Sequence, residues 1–431
     1  MPSQSGVRGV SFVRKVILVI ALASAIVAVS TCTKRRPLAE EGKCKLEFKP
    51  AKNPDSVPSL AHQYQLPVSE KPSQIKDLPK GVSDDFSYFL ARLGDKDVPM
   101  ILDSHTDVSG RFFRWRHILY VDTDGDNNLA EEKGFVGKAQ KTRRASPVGY
   151  YRFGPISVES GSTENKLKTE FYVTTRNGRS LGLYPTGCRV GKVRLGKNVY
   201  KVAIIDGNFN GRYDKLFSPP VGDFRRPGCD SYVIHLNGDY RLDHVSYKLR
   251  ELMPLSKMLK AEDNYYSIDI ASDGSALELK KVEPELGTLD LGGADLELLV
   301  WSDIAHQLLS GSKQEWQLPA GKYTALFKEL NQPDSSGSRL TFRTSPETGK
   351  LKDFEIRPGE TTVFRIGPPF SIKTSVEQSD GNALIAFELE GQSGVLYRPR
   401  VRKGRTTIPA PKFKIIDEAG KVVDSGQFEY G

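Results

Sequence analysis

Cysteine and histidine, the residues that most often carry redox and metal chemistry, are scarce in this 431-residue chain: four and six, respectively. The four cysteines form no C-x-x-C pair, which excludes a zinc ribbon and a thioredoxin-type site. The chain also lacks G-x-S-x-G, H-E-x-x-H and a phosphate-binding G-x-x-x-x-G-K-[ST] loop. No established catalytic motif therefore points to an enzyme. A dense basic run interleaved with aromatics is missing as well. Three of the net +9 charges (Arg8, Arg14 and Lys15) precede an apolar segment, and the +6 left behind is spread among acids. Nucleic acid is not the expected partner. Long helical periodicity is absent too. Ser246–Asp263 has helical flavour, but Pro254 interrupts it, which predicts strand and loop there.

What the chain does have is short apolar runs divided by turn signals about every ten residues. "RHILYVD", "TEFYVTT", "NVYKVAIID" and "DSYVIHLNGD" alternate or run solid, rich in Val, Ile and Tyr. This predicts a mainly β fold. Residues 85–283 read as a β-rich domain. After Pro284 the texture restarts, and residues 284–368 and 369–431 read as two small Ig-like β-sandwich units, divided at Gly367-Pro-Pro369. Residues 31–84 hold seven prolines and read as a tether or an edge-lying extended segment, in which Cys44–Lys49 could add a strand.

At the N-terminus, Arg14-Lys15 precedes the 15-residue apolar run Val16–Ser30, short for a membrane span and suited to export. Residues 1–30 read as a signal peptide with small residues before the cut at Ala28 and Ser30. Val29-Ser-Thr-Cys32 resembles a lipobox, so Cys32 could instead carry lipid, and an uncleaved anchor is the third route. Either of the last two would tether the chain to a membrane. In an oxidising compartment Cys188 and Cys229, both in Gly-containing turns, are the natural disulfide pair.

Two segments carry a denser signal. "VDTDGDNNLAEE" places Asp122, Asp124 and Asp126 at alternate positions one, three and five of a cation-wrapping loop. Asn127 at position six tolerates the left-handed backbone required there. Asn128 would lend a carbonyl, Leu129 would plug the core, and Glu132 or Glu131 would close the shell. "IDGNFNGRYD" repeats the rhythm with Asp206, Asn208, Asn210 and Gly211, then Arg212 through its carbonyl and Asp214 at position nine. Its position twelve is Phe217, so the closing carboxylate is missing unless Asp223 returns. An ordinary hairpin turn needs one or two such residues, not three alternating carboxylates with an apolar plug. His235–Asp243 has a similar rhythm but reads as a turn. These segments resemble EF-hand-like calcium loops, and their strand setting is similar to that of secreted bacterial β-proteins with D-x-N-x-N-G loops, mostly of unknown function. The resemblance implies Ca²⁺ as the ligand and a structural staple in place of a helix-opening switch.

Other chemistry is thin. Asp103–Asp107, "DSHTD", clusters acids around His105, which suits a metal or acid/base site but more often makes an exposed polar turn. Trp115, Trp301 and Trp316 could face a sugar, although strand-borne Trp is usually core. The sequence thus points to an exported calcium-binding structural or binding module of the bacterial cell envelope with an unidentified envelope or extracellular partner. The alternative is a calcium-dependent hydrolase acting on an extracellular polymer.

Overall fold

Alternation becomes architecture directly in Phe86–Leu93, where Phe89, Ala91 and Leu93 are buried and Arg92 is exposed. A computed structural model describes residues 41–51, 63–107, 114–140, 150–160, 167–176, 178–218, 228–236, 252–344, 349–379 and 382–429. The signal-peptide, lipobox and Cys32 expectations lie outside these residues, as do Asp223 and most of His235–Asp243. Among the described residues the chain is mainly β with no α-helix, and nearly all pairing is antiparallel.

Among the described residues three large apolar cores are each formed by residues of more than one sheet. In the first, Phe86–Leu93, Lys96–Asp107, Arg114–Val121 and Phe135–Val136 form one sheet. A second sheet runs in the order Gln63–Gln65, Leu181–Pro185, Leu167–Arg176, Tyr150–Ser160, Lys138–Gln140. Their buried faces share Phe89, Met100, Leu119, Phe153, Phe171 and Val173. The second core lies between the sheet built on Gly187–Leu195, Asn198–Ile205 and Ser231–Leu236 and the sheet built on Met258–Ala261, Asn264–Ile270 and Ala276–Val282.

The third core gathers Leu289, Leu298, Val300, Tyr323 and Phe342 with Tyr397 and Val401. Its larger sheet takes Asp295–Trp301, Gly321–Pro333 and Arg339–Arg343, and is extended by Arg402–Lys403. Residues on both sides of Gly367-Pro-Pro369 therefore share one core. Beyond it stand two hairpins, Ser371–Ser379 with Asn382–Glu390 and Lys412–Ile416 with Val422–Gln427. Their contact runs through Phe428, whose ring lies 4.4 Å from that of Phe387 and 5.0 Å from that of Phe413.

Part of the Pro-rich segment lies along sheet edges. Lys43–Lys45 pairs with Ala276–Val282, Glu47–Pro50 with Gly187–Leu195, and Gln63–Gln65 with Leu181–Pro185. The interrupted helical stretch yields the strands Leu252–Pro254 and Met258–Ala261.

The expected Cys188–Cys229 disulfide is corrected: both thiols are free and buried, as Cys44 is free and partly buried. Cys188 lies in Gly187–Leu195 and Cys229 just before Ser231–Leu236, and Asn198–Ile205 runs between those strands. Two strand spacings are roughly 10 Å, beyond the ~7 Å Cα limit for a bridge. The thiols also belong to different apolar clusters, Cys188 with Val190 and Ile205, Cys229 with Phe217 and Trp301. Burial pushes the Cys188 thiol up to about 12 and that of Cys44 up to about 11.

Candidate metal centre

The first aspartate loop begins where the strand Arg114–Val121 ends, at the rim of the first core. Asp122 is buried, while Asp124 and Asp126 are exposed. One carboxylate oxygen from each of the three lies within 4.8 Å of the others. Oxygens on opposite sides of a Ca²⁺ ion stand about 4.6–5.2 Å apart, so one cation can touch all three. Among the described residues this is the one group of three acidic, His or Cys side chains so placed.

The backbone reason is local. Gly125 and Asn127 adopt φ of 83° and 62°, which turns successive amides inward. Asp122 accepts from the Gly125 and Asn127 amides at 3.0 and 3.3 Å, one on each oxygen. The Asp126 amide donates to Asp124 at 3.2 Å, and the Asn128 amide to Asp126 at 2.7 Å. Leu129 is fully buried with Ile75 and Ile101, as expected of a plug. The Lys76 amide donates to the Asn127 carbonyl and the Glu159 amide to that of Thr123, tying the loop to its surroundings.

Glu132 reaches back to the start of the loop. It accepts from the Thr123 amide at 2.5 Å and from the Thr123 hydroxyl at 3.0 and 2.9 Å. Thr123 is the residue that sequence spacing does not single out. Burial raises the Glu132 carboxyl, and the charges of Asp124 and Asp122 raise it further, against the Thr123 hydrogen bonds. The Asp122 carboxyl is likewise raised by burial first, with the Asp124 and Asp126 charges adding to it and the two amides opposing. A positive charge among these groups would offset the mutual repulsion. Asn128 turns its side-chain amide to Glu131 at 2.9 Å.

The second loop repeats the backbone plan. Phe209 and Gly211 occupy the same two positions with φ of 58° and 77°. Asp206 accepts from the Asn210 and Gly211 amides at 3.2 and 2.8 Å, and the Arg212 amide donates to Asn210 at 2.8 Å. Asn208 accepts from the Asn210 amide at 3.3 Å. The ligand set differs, however. Asp214 is engaged by the Arg212 guanidinium at 2.5 Å and does not join an acidic group around Asp206. Phe217, at position twelve, is fully buried in the apolar cluster of Trp301.

The neighbour that the spacing conceals is Asp230, fully buried, which accepts from the Gly207 and Lys215 amides at 3.0 and 2.7 Å. Burial, and then the Asp206 charge, hold its carboxyl well above the usual range. Burial also pushes Asp206 up to about 6. A cavity of about 230 Å³ opens beside Asp206, Phe209 and Gly211, with Arg189, Tyr213 and Phe48 in its lining.

"DSHTD" is not an exposed turn. It ends the strand Lys96–Asp107, and Asp103 is fully buried, accepting from Ser83 at 2.5 Å and lying 3.2 Å from His105 Nδ1. Ser104, on the other face, lies 2.8 Å from His117 Nδ1. Trp301 is buried core and Trp316 packs partly buried against the third core. Comparison of the chain with protein-family models, curated proteins and solved structures finds no match.

Proposed function

We propose that the chain is an exported structural or binding module of the bacterial cell envelope, stapled by Ca²⁺ held at Asp122, Asp124 and Asp126. The observation that carries this reading is the convergence of three carboxylate oxygens within 4.8 Å on a loop wound left-handed at two positions. Glu132, held on Thr123 through both carboxylate oxygens, lies outside this group of three and would have to turn from Thr123 to close the shell. Calcium suits a site of several protein oxygens better than Mg²⁺, which holds a smaller shell and keeps its waters. The anchoring of Asn127, Thr123 and Leu129 to neighbouring elements supports a staple: the cation tightens a loop already built and opens nothing. The second loop, with Asp214 paired to Arg212, is the weaker site. Export rests on the Arg14-Lys15 and Val16–Ser30 pattern.

Thermal unfolding in EDTA, Ca²⁺ and Mg²⁺ tests the staple. At about 100-fold excess over Kd, Ca²⁺ should add roughly 2.7 kcal/mol and raise Tm by several degrees. Mg²⁺ should do much less. Identical melting in all three, with no calcium by elemental analysis, would make the aspartates mere turn formers.

A further inference from the structure

Ser371–Ser379 is a nine-residue strand that pairs only with Asn382–Glu390 among the described residues, leaving its other edge unpaired. Residues 371–378 are all exposed, including Ile372 at 62% and Val376 at 60%. An unpaired strand edge presents a row of N–H and C=O groups that can template pairing with another strand, and one recurrent mode of protein recognition adds a strand in this way. Here the pattern along the edge selects its occupant. Lys373, Ser375 and Glu377 point to one face, and Ile372, Thr374, Val376 and Gln378 to the other.

We infer that this edge is a self-association surface, on which a second copy of the chain adds its own Ser371–Ser379 strand antiparallel, centred on Ser375. In that register Lys373 of each copy stands opposite Glu377 of the other, giving two symmetric pairs of opposite charge. Val376 stands opposite Thr374 and Ile372 opposite Gln378, so the Ile372 and Val376 side chains of both copies share one face with Thr374 and Gln378. A parallel in-register arrangement would set Lys373 against Lys373 and Glu377 against Glu377, which is repulsive. Lys373, itself exposed, also meets the half-buried Glu390 of its own hairpin at 2.9 Å, a contact that it can share across the new edge. A foreign strand would need the complementary charge order, which this strand already supplies to itself.

Sedimentation velocity on the purified full-length protein across a wide concentration range tests the surface. Wild type should form a dimer. K373E and E377K should each weaken it roughly tenfold, because each turns two attractive pairs into two repulsive ones. An equimolar mixture of the two variants should recover association, since the acidic strand of one then meets the basic strand of the other. The doubly exchanged variant K373E/E377K should dimerise alone. The mixture separates loss of the interface from damage to the hairpin, because a misfolded strand would not be rescued. A wild type that is monomeric throughout, a dimer that neither reversal weakens, or failure of the mixture to associate would each overturn the inference.

Discussion

At the scale of single residues, charge and hydrogen bonding decide what each candidate can do. Asp124 is exposed, and its side chain accepts one amide within the loop, that of Asp126. Asp124→Ala should therefore leave melting in EDTA unchanged or slightly raised, because one of three repelling carboxylates is gone. The same variant should lose most of the Ca²⁺-dependent rise in Tm, while Asn208→Ala should remove a smaller part. Calorimetric titration with Ca²⁺ reads both.

His306 offers a second residue-scale test. Its Nε2 lies 2.8 Å from the Tyr232 hydroxyl and its Nδ1 3.1 Å from Ser256 Oγ. The Ser256 hydroxyl donates to the Met258 carbonyl, so Nδ1–H donates to Ser256 and Nε2 accepts from Tyr232. The ring is neutral, and burial holds its pKa down to about 3. The unfolded chain binds the His306 proton near pH 6.5 and the folded chain only near pH 3. Stability from this residue is thus full above pH 6.5 and is lost as pH falls between those values, by up to about 1.4 kcal/mol per pH unit. Urea midpoints measured from pH 7 to 4 should fall more steeply for wild type than for His306→Gln.

At the scale of elements, the loops inherit their position from the strands that feed them. Arg114–Val121 carries Asp122 to the rim of the first core, and Leu129 returns the chain to the interior beside Ile75 and Ile101. Leu129→Ala should cost about 2–5 kcal/mol, because that pocket is fully buried and collapses only partly. It should also weaken Ca²⁺ binding although no ligand is altered, since the anchored loop end is what holds Glu132 near Thr123. A lowered urea midpoint together with a raised calorimetric Kd is the expected outcome. A lowered midpoint with unchanged Kd would show that the loop keeps its geometry without the plug.

At the scale of the whole molecule, the second and third cores meet at an aromatic contact, beside backbone hydrogen bonds from Lys257 and Met258 to Asp303 and Ile304. Trp301 and Phe217 pack edge to face with ring centroids 5.4 Å apart, alongside Leu299 and Cys229. Tyr232 and His306 bring a polar contact to the same junction. Trp301→Ala should destabilise by about 3–5 kcal/mol and uncouple the two cores, splitting one denaturation step into two. Differential scanning calorimetry would show the change from a single endotherm. Preservation of one cooperative step would place the coupling elsewhere.

What the sequence by itself determined is local. Alternating apolar residues specify strands, and D-x-D-x-D-N dictates a loop wound left-handed at Asn127, because both follow from neighbouring φ/ψ preferences and short Asx turns. The burial of Leu129 and the strands preceding both loops are legible for the same reason. Only the tertiary structure decided which distant groups meet. Strand order put Asn198–Ile205 between the strands of the two cysteines and so precluded their bridge. Packing drew Asp230 beneath the second loop, turned Asp103 from a surface turn into a buried strand position, and set residues beyond Pro369 into the third core. Register and burial depend on the whole sheet arrangement, and no spacing along the chain encodes them one residue at a time.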